Sequence, residues 1–274
     1  MRIAVCFFGI TRNFGKFALD SINSNLLAPV AQLDPNFRKI AHFNRIDRIT
    51  GKRSPENNVS VDTEEYKLLN CDPVALTDQE EVDQSIDFDH LKQYGDSWRN
   101  DFSSLKNLLR QFYSLNAVTD LLLREGKHYD LIIFSRVDLR FAVRLKLPKI
   151  RPATLYTAWF DRFRGLNDRF ALGDLPTMVA YGRRQSMARQ YCSHLGVPLT
   201  AEHYLFWCMK KQGFATRFLT SLEFNRIRAQ GKIIPIENGA DAKFRFHVKR
   251  ALEMLHLRQL AHPNSRRLIS PDSN

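Results

Sequence analysis

The sequence predicts an α/β protein, a mixed and mostly parallel sheet flanked by helices. Three stretches carry that prediction. "RIAVCFFG" (2–9) is a near-continuous apolar run closed by Gly, the pattern of a strand buried on both faces. "DFSSLKNLLRQFYSLNAVTDLLLREG" (101–126) places Leu105, Leu108, Leu109, Phe112, Leu115, Val118 and Leu122 at helical spacing, with Gly126 as a C-cap. "YDLIIFSRVDLRF" (129–141) follows at once, and Leu131 to Phe134 reads as a second buried strand. A helix feeding such a strand is part of a βα unit of a parallel sheet.

The other elements are shorter. "FALDSINSNLLAPVAQL" (17–33) reads as a helix with Phe17, Leu19, Ile22 and Leu26 inward. Between 34 and 101 the periodicity weakens and turn signals recur (Asp34-Pro35, Thr50-Gly51, Ser54-Pro55), which predicts long loops with short elements. "ATLYTAWF" (153–160) is a further strand. "MVAYGRRQSMARQYCSHLG" (178–196) is read as a strand end followed by a helix, and "AEHYLFWCMKKQG" (201–213) as a short helix ending at Gly213. These elements fill one domain over 1–240. The segment 241–274 is read as a basic amphipathic helix and tail, with Phe244, Val248, Ala251, Leu252 and Leu255 on one face.

Composition narrows the class. The 274 residues are 44% hydrophobic, enough for a sizeable core. No repeat of fixed period stands out, no apolar run approaches the ~20 residues a membrane-spanning helix needs, and the short run 3–10 does not read as a secretory signal. Four cysteines lie far apart (Cys6, Cys71, Cys192, Cys208), which argues against a disulfide framework or zinc cluster and fits a reducing cytoplasm. The formal net charge is +12, with acids concentrated in 62–101 and bases in the last third. Such a balance suits nucleic acid, anionic lipid or a phosphorylated substrate.

Four stretches carry chemistry. In "FFGITRNFGKF" (7–17) a strand runs into Gly9 and then Gly15-Lys16. A phosphate-cradling P-loop needs four residues between its first Gly and Gly-Lys, then Ser or Thr; here there are five, then Phe17. What survives is a strand end, a Gly allowing close backbone approach, and Thr11 and Arg12 beside a helix, in the place where open α/β sheets bind ligands. In "FSRVDLRF" (134–141), Arg136 and Asp138 emerge at a strand's carboxyl end. The pair suits phosphate clamping and Mg²⁺ or Mn²⁺ ligation, and equally an ion pair that closes the strand. "WFDRFRGLNDRFALGD" (159–174) sets Asp161, Asn167, Asp168 and Arg169 among Trp159, Phe160, Phe163 and Phe170, which are expected to be buried, with Gly165 and Gly173 as hinges. In "PLTAEHYLFWCMKKQG" (198–213), Thr200 is placed to cap a helix whose first turn holds Glu202, a candidate general base or a dipole-compensating acid.

With these stretches in order, the chain resembles a group of GT-A-like (Rossmann-like) glycosyltransferases of bacterial surface-polysaccharide (capsule and O-antigen, or lipopolysaccharide) biosynthesis. The resemblance rests on "LRQFYSL" (109–115), "YDLIIFSRVDLRF" (129–141), "LNDRFALG" (166–173) and "AVCFFGITRNF" (4–14). It implies transfer of a sugar from a nucleotide-diphospho-sugar donor to a glycan or lipid-linked glycan hydroxyl. Asp138 then takes the place of the second acid of a D-x-D metal motif, with Mn²⁺ or Mg²⁺ as the implied cofactor. Arg136 stands where the first acid would be, a departure that puts the metal in question. Gly9, Thr11, Arg12, Arg110, Gln111 and Arg136 would meet the nucleotide, Asn167, Asp168 and Arg169 the donor sugar or acceptor. Glu202 is the leading base, Asp168 the second. The expected location is cytoplasmic; the basic tail suits anionic lipid at the inner face of the membrane, and equally a terminal helix packed on the domain with its charges solvated. Two other readings stay open on the residues alone: a nucleotide-dependent phosphotransferase built on the Gly9 loop, and a non-catalytic module binding membrane or nucleic acid through its tail. No recognised nucleic-acid-binding module accompanies the charge, so nucleic acid is not an expected partner.

Overall fold

A computed structural model describes residues 1–51 and 56–235. The amphipathic tail expected over 241–274 lies outside the described residues. In chain order the strands are β1 Ile3–Gly9, β2 Arg38–Arg45, β3 Arg48–Gly51, β4 Glu56–Ser60, β5 Val74–Asp78, β6 Leu131–Arg136, β7 Leu139–Phe141, β8 Thr154–Ala158, β9 Phe170–Gly173, β10 Ala215–Leu219, β11 Phe224–Ile227 and β12 Ile233–Ile234. The α-helices are α1 Phe14–Phe17, α2 Leu19–Ser21, α3 Ala28–Leu33, α4 Gln79–Ser85, α5 Phe88–Leu91, α6 Ser103–Arg124, α7 Leu175–Gly182, α8 Ala188–Leu195 and α9 Ala201–Lys211.

Seven strands form the central sheet in the order β10-β8-β9-β6-β1-β2-β5. β1 pairs parallel with β2 and β6, β2 with β5, and β8 with β10; β9 alone runs antiparallel to its neighbours β6 and β8. This is the mixed, mostly parallel sheet the sequence predicts. Every β1 side chain from Ile3 to Phe8 is fully buried, and Ala4, Cys6 and Phe8 pack in the cluster that includes Leu109, Phe112 and Leu115 of α6. Alternation along a strand sends Ile3, Val5 and Phe7 to the opposite face, so both faces are covered. α6 lies on β1 and β2, and α7 on β6, β8 and β9. The four cysteines are free, three of them buried.

The structure corrects several local expectations. The short elements expected within 34–101 include β2 and β5, which belong to the main sheet rather than to the loops around it. Polar residues in "RKIAHFNR" mask a buried strand. His42 and Asn44 are 2% and 3% exposed and are held by partners remote in sequence. Asn44 Nδ2 donates to Arg110 O (3.0 Å). His42 Nδ1 lies 3.0 Å from Ser114 Oγ and Nε2 lies 2.9 Å from Thr77 Oγ1. Ser114 spends its hydroxyl proton on His42 O, so the imidazole must carry its own on Nδ1. Burial pushes the His42 pKa down to about 4, which keeps this bridge neutral.

Residues 14–33 are helical, but the inward face is Phe14, Ala18, Ile22, Leu26 and Val30 rather than one including Phe17 and Leu19, which are half-buried. That face repeats every four residues, more than an α-helical turn supplies, and the wider π-helical turn Ile22–Leu27 absorbs the mismatch. Residues 178–182 are helix, not strand: Asp174 accepts from Thr177 N (3.2 Å) to cap α7, and Pro176 sits in its first turn. Gly182 is needed there, since a Cβ would lie 1.9 Å from Thr119 Oγ1 on α6. Thr200 occupies the N-cap position of α9 without a side-chain bond to the helix amides.

Candidate active-site cleft

The carboxyl ends of β1, β2 and β6 open on the same edge of the sheet, and the antiparallel β9 begins there. A cavity of about 400 Å³ lies at that edge, of the size that small-molecule sites occupy. Gly9 and Arg12 line it from the turn after β1, Arg136 from the end of β6, and Asp168 and Arg169 from the approach to β9. Arg110 and Gln111 reach it from α6, and Glu202 from the first turn of α9. Thr11, Asp138 and Asn167 do not line it. Thr11 is buried, and its carbonyl accepts from Phe14 N (3.3 Å). Asn167 folds the loop, with Nδ2 donating to Phe160 O (3.2 Å) and Oδ1 accepting from Arg169 N (3.0 Å).

The turn after β1 explains why this is not a P-loop. Gly9 has φ +107°, and Arg12 and Asn13 follow at φ 59° and 58°, two left-handed residues in succession. Such residues cost roughly 1–3 kcal/mol each and persist only where the surroundings hold them. Asn13 supplies the hold: Nδ2 donates to Ser60 O (3.0 Å) and Ala229 O (2.9 Å), and Oδ1 accepts from Asp62 N (3.1 Å). The amides that a P-loop would offer to phosphate are already taken. Glu65 Oε1 accepts from Gly15 N (2.6 Å), and Phe14 N is bonded to Thr11 O.

Arg136 and Asp138 form a two-pronged ion pair. Arg136 Nε donates to Asp138 Oδ1 (2.8 Å) and Nη2 to Oδ2. Arg12 Nε lies 3.8 Å from the same Oδ2. Burial alone would raise the Asp138 pKa; Arg136 and then Arg12 outweigh it and hold the carboxyl down at about 2. Gln111 couples this pair to the next acid, accepting from Arg136 Nη1 (3.1 Å) and donating to Asp168 Oδ2 (2.8 Å). Arg110 is engaged at the rim, where Nε and Nη2 each reach Asp83 at 2.6 Å.

Asp168 and Glu202 share Arg169. Its Nη1 lies 3.8 Å from Asp168 Oδ1 and its Nη2 3.6 Å from Glu202 Oε1. The two acids are nevertheless poised in opposite directions. For Asp168, the burial penalty is outweighed by Arg169, Arg184 and the Gln111 bond, so its pKa is lowered and it stays ionised. For Glu202, burial and the Asp168 charge win over Arg169, and the pKa is pushed up to about 7. Paired acids driven apart in this way are the mark of divided acid–base roles.

Gly165 brings the 161–169 loop onto α9. Leu166 N donates to Glu202 O (3.0 Å), and a Cβ on Gly165 would lie 2.0 Å from that same oxygen. Gly165 is therefore a close-approach residue rather than a hinge, and Gly173 is part of β9. Gly165→Ala is expected to push the loop off the helix, lowering stability by about 1–3 kcal/mol and activity by roughly 100-fold through misplacement of Glu202. Denaturant titration beside steady-state kinetics measures both; unchanged values would show that the loop does not set the Glu202 position.

The donor set does not fit a divalent cation on Asp138. Both its oxygens are engaged by Arg136, with Arg12 close by, and the side chain is 3% exposed. A cation there would face two guanidinium groups. Among the described residues no three or more His, Cys, Asp or Glu are grouped to hold a metal ion.

Sequence reasoning missed other parts of the cleft. Arg226 and Arg228 line it from β11 and the residue after it. Their R-I-R alternation was a readable period-two signal in a region that carried no other motif. Three acids behind the lining each bridge two arginines: Glu56 to Arg12 (3.2 Å) and Arg228 (3.8 Å), Asp161 to Arg169 and Arg226 (both 3.8 Å), and Asp138 to Arg136 and Arg12. Of the aromatic residues expected inside, Trp159, Phe160 and Phe170 are buried, but Phe163 is 50% exposed. It meets Trp98 edge-to-face at 5.9 Å, and both line the cavity.

No family model and no curated protein sequence matches the chain. Among solved structures, mouse xyloside xylosyltransferase 1 in its apo form is similar in trace, at a TM-score of 0.42 and 12% identity over 80% of this chain and 85% of that one. Similarity of that order carries no functional argument, and the reading of this cleft rests on its own chemistry. Among the described residues, no helix is long and apolar enough to cross a membrane.

Proposed function

We propose that this chain is a glycosyltransferase that moves a sugar from a nucleotide-diphospho-sugar to an acceptor hydroxyl. The observation that carries the reading is the juxtaposition of two oppositely poised acids, Glu202 and Asp168, with an arginine-lined cavity at the carboxyl edge of the sheet. In this reading the acceptor oxygen forms a bond to the anomeric carbon as the bond from that carbon to the diphosphate breaks. The electron pair leaves with the nucleoside diphosphate, and Glu202 takes the acceptor proton. Asp168, kept ionised and oriented by Gln111, supports charge on the reacting sugar. Arginines stabilise the negative charge that grows on the leaving group.

The resemblance in sequence adds the finer expectation that the acceptor is a growing surface glycan, lipid-linked and met at a membrane face. A phosphotransferase on the Gly9 loop is disfavoured, since Glu65 already occupies the Gly15 amide it would use. Thermal-shift measurements with the purified protein test the choice. Stabilisation by UDP- or GDP-sugars, followed by nucleoside diphosphate release with an acceptor, is expected. Stabilisation by ATP with Mg²⁺ and phosphoryl transfer to an acceptor would replace this reading with the other.

A further inference from the structure

We propose that the donor diphosphate is bound by guanidinium groups alone, with Arg226 and Arg228 as the pair that neutralises the leaving group and no divalent cation taking part. The proposal rests on the reading of the cleft as a sugar-nucleotide site.

Arg226 and Arg228 flank Ile227, which is 2% exposed. Alternation along the strand turns the isoleucine inward and both arginines toward the cavity. β11 is held in place by pairing with β7, Arg226 opposite Leu139, and by Ile227 N donating to Asp138 O (2.9 Å). β11 and the residue that leaves it thus fix two arginines beside the Arg136–Asp138 pair.

These side chains have donors without acceptors. The Nε atoms of Arg12, Arg226 and Arg228 are buried and have no hydrogen-bond partner among the described residues. Arg226 Nε lies 3.8 Å from Asp161 Oδ2, and Arg228 comes within 3.8 Å of Glu56 Oε2 through Nη1, both too far for a hydrogen bond. Those Nε atoms are shut off from the cavity, while the side chains of Arg226 and Arg228, 23% and 16% exposed, line it and keep surface open to a ligand. Glu56, Asp138 and Asp161 stand behind the arginines, so the face turned to the cavity is cationic apart from Asp168 and Glu202. Burial lowers the pKa of both arginines to about 10, helped by Arg169 at Arg226 and by Arg12 at Arg228. Both remain protonated at neutral pH, and an anion between them would relieve the repulsion.

The guanidinium fork matches phosphate oxygens in two-pronged geometry, which a point cation does not need. When the bond between the anomeric carbon and the β-phosphate oxygen breaks, the electron pair stays on that oxygen. The forks of Arg226 and Arg228 take up its charge. A metal is not needed for that charge balance, and the arrangement around Asp138 opposes one.

Isothermal titration calorimetry of the full chain with inorganic pyrophosphate and with UDP and GDP tests this. Affinity in EDTA is expected to equal that with Mg²⁺ or Mn²⁺ within about two-fold. Arg226→Ala and Arg228→Ala are each expected to weaken binding roughly 10- to 100-fold, as loss of a charged hydrogen bond does. The corresponding lysine variants keep the charge, lose the fork and should fall between. Binding that appears only when Mg²⁺ or Mn²⁺ is added overturns the proposal, and needs no variant to be seen. So does wild-type affinity in both alanine variants. Metal-free binding without sugar transfer to any acceptor would leave this inference standing and remove the reaction class. Transfer that requires Mn²⁺ would do the reverse.

Discussion

Glu202→Gln is expected to lower sugar transfer by about 10²- to 10⁴-fold, the usual contribution of a positioned base, while leaving the fold intact. The substitution keeps shape and hydrogen-bonding capacity, and removes only the ability to accept a proton. The wild-type rate should depend on pH in a defined way. With the Glu202 pKa at about 7, the basic form grows as pH rises. kcat/KM should climb below that value and level above it, and the variant should be low and flat. Stability carries the opposite sign. The folded pKa lies above the ordinary 4.5, so the native state binds more protons than the unfolded chain between the two values. The stabilisation from neutral Glu202 is full below 4.5 and is lost as pH rises through about 7. Urea midpoints across that window, compared with Glu202→Gln, measure it. A rate profile in the variant that still rises through pH 7 would assign the base elsewhere, with Asp168 the next candidate.

Asp138→Ala should act first on stability. It leaves Arg136 without its two-pronged partner and Arg12 without a neighbour 3.8 Å away. Breaking a buried pair by removing one member costs about 3–5 kcal/mol, enough to unfold a marginal protein. Replacing both members, Arg136→Met with Asp138→Leu, is expected to recover much of that loss without recovering transfer. Acid should reproduce the effect in the wild type. The Asp138 pKa is held at about 2, against an ordinary 3.8, so its contribution is complete above 3.8 and disappears as pH falls toward 2. Equilibrium denaturation of the single and double variants tests the ledger of charges. An Asp138→Ala protein as stable as wild type yet inactive would return Asp138 to the chemistry, as the sequence pattern suggested.

Much of the cleft was legible because its residues sit at element boundaries, where local patterns are strongest. Arg12 follows an apolar strand that ends in Gly, Arg136 follows another, and Glu202 opens a helix. Arg110 and Gln111 came from the resemblance carried by "LRQFYSL", not from the apolar stripe of α6. The strand β2 was not legible, since its polar residues look solvated until Ser114, Thr77 and the Arg110 carbonyl are known to meet them. Phe163 was misplaced for a related reason: an aromatic residue in a charged loop suggests burial, and only the neighbouring Trp98 loop reveals a shared position at the cavity.

Local chemistry alone settled the α/β class, β1, α6, β6 and α9, because apolar spacing within one segment decides whether that segment becomes helix or strand. What side chains do at the sheet edge depended on partners far along the chain. Pairing between β11 and β7 carries Arg226 and Arg228 beside Arg136, and Glu65 rather than a ligand occupies the helix start near Gly15. Whether Asp138 meets a metal or an arginine, and whether Glu202 is charged, follows from burial and from which charges stand within a few ångströms. Those distances exist only after folding.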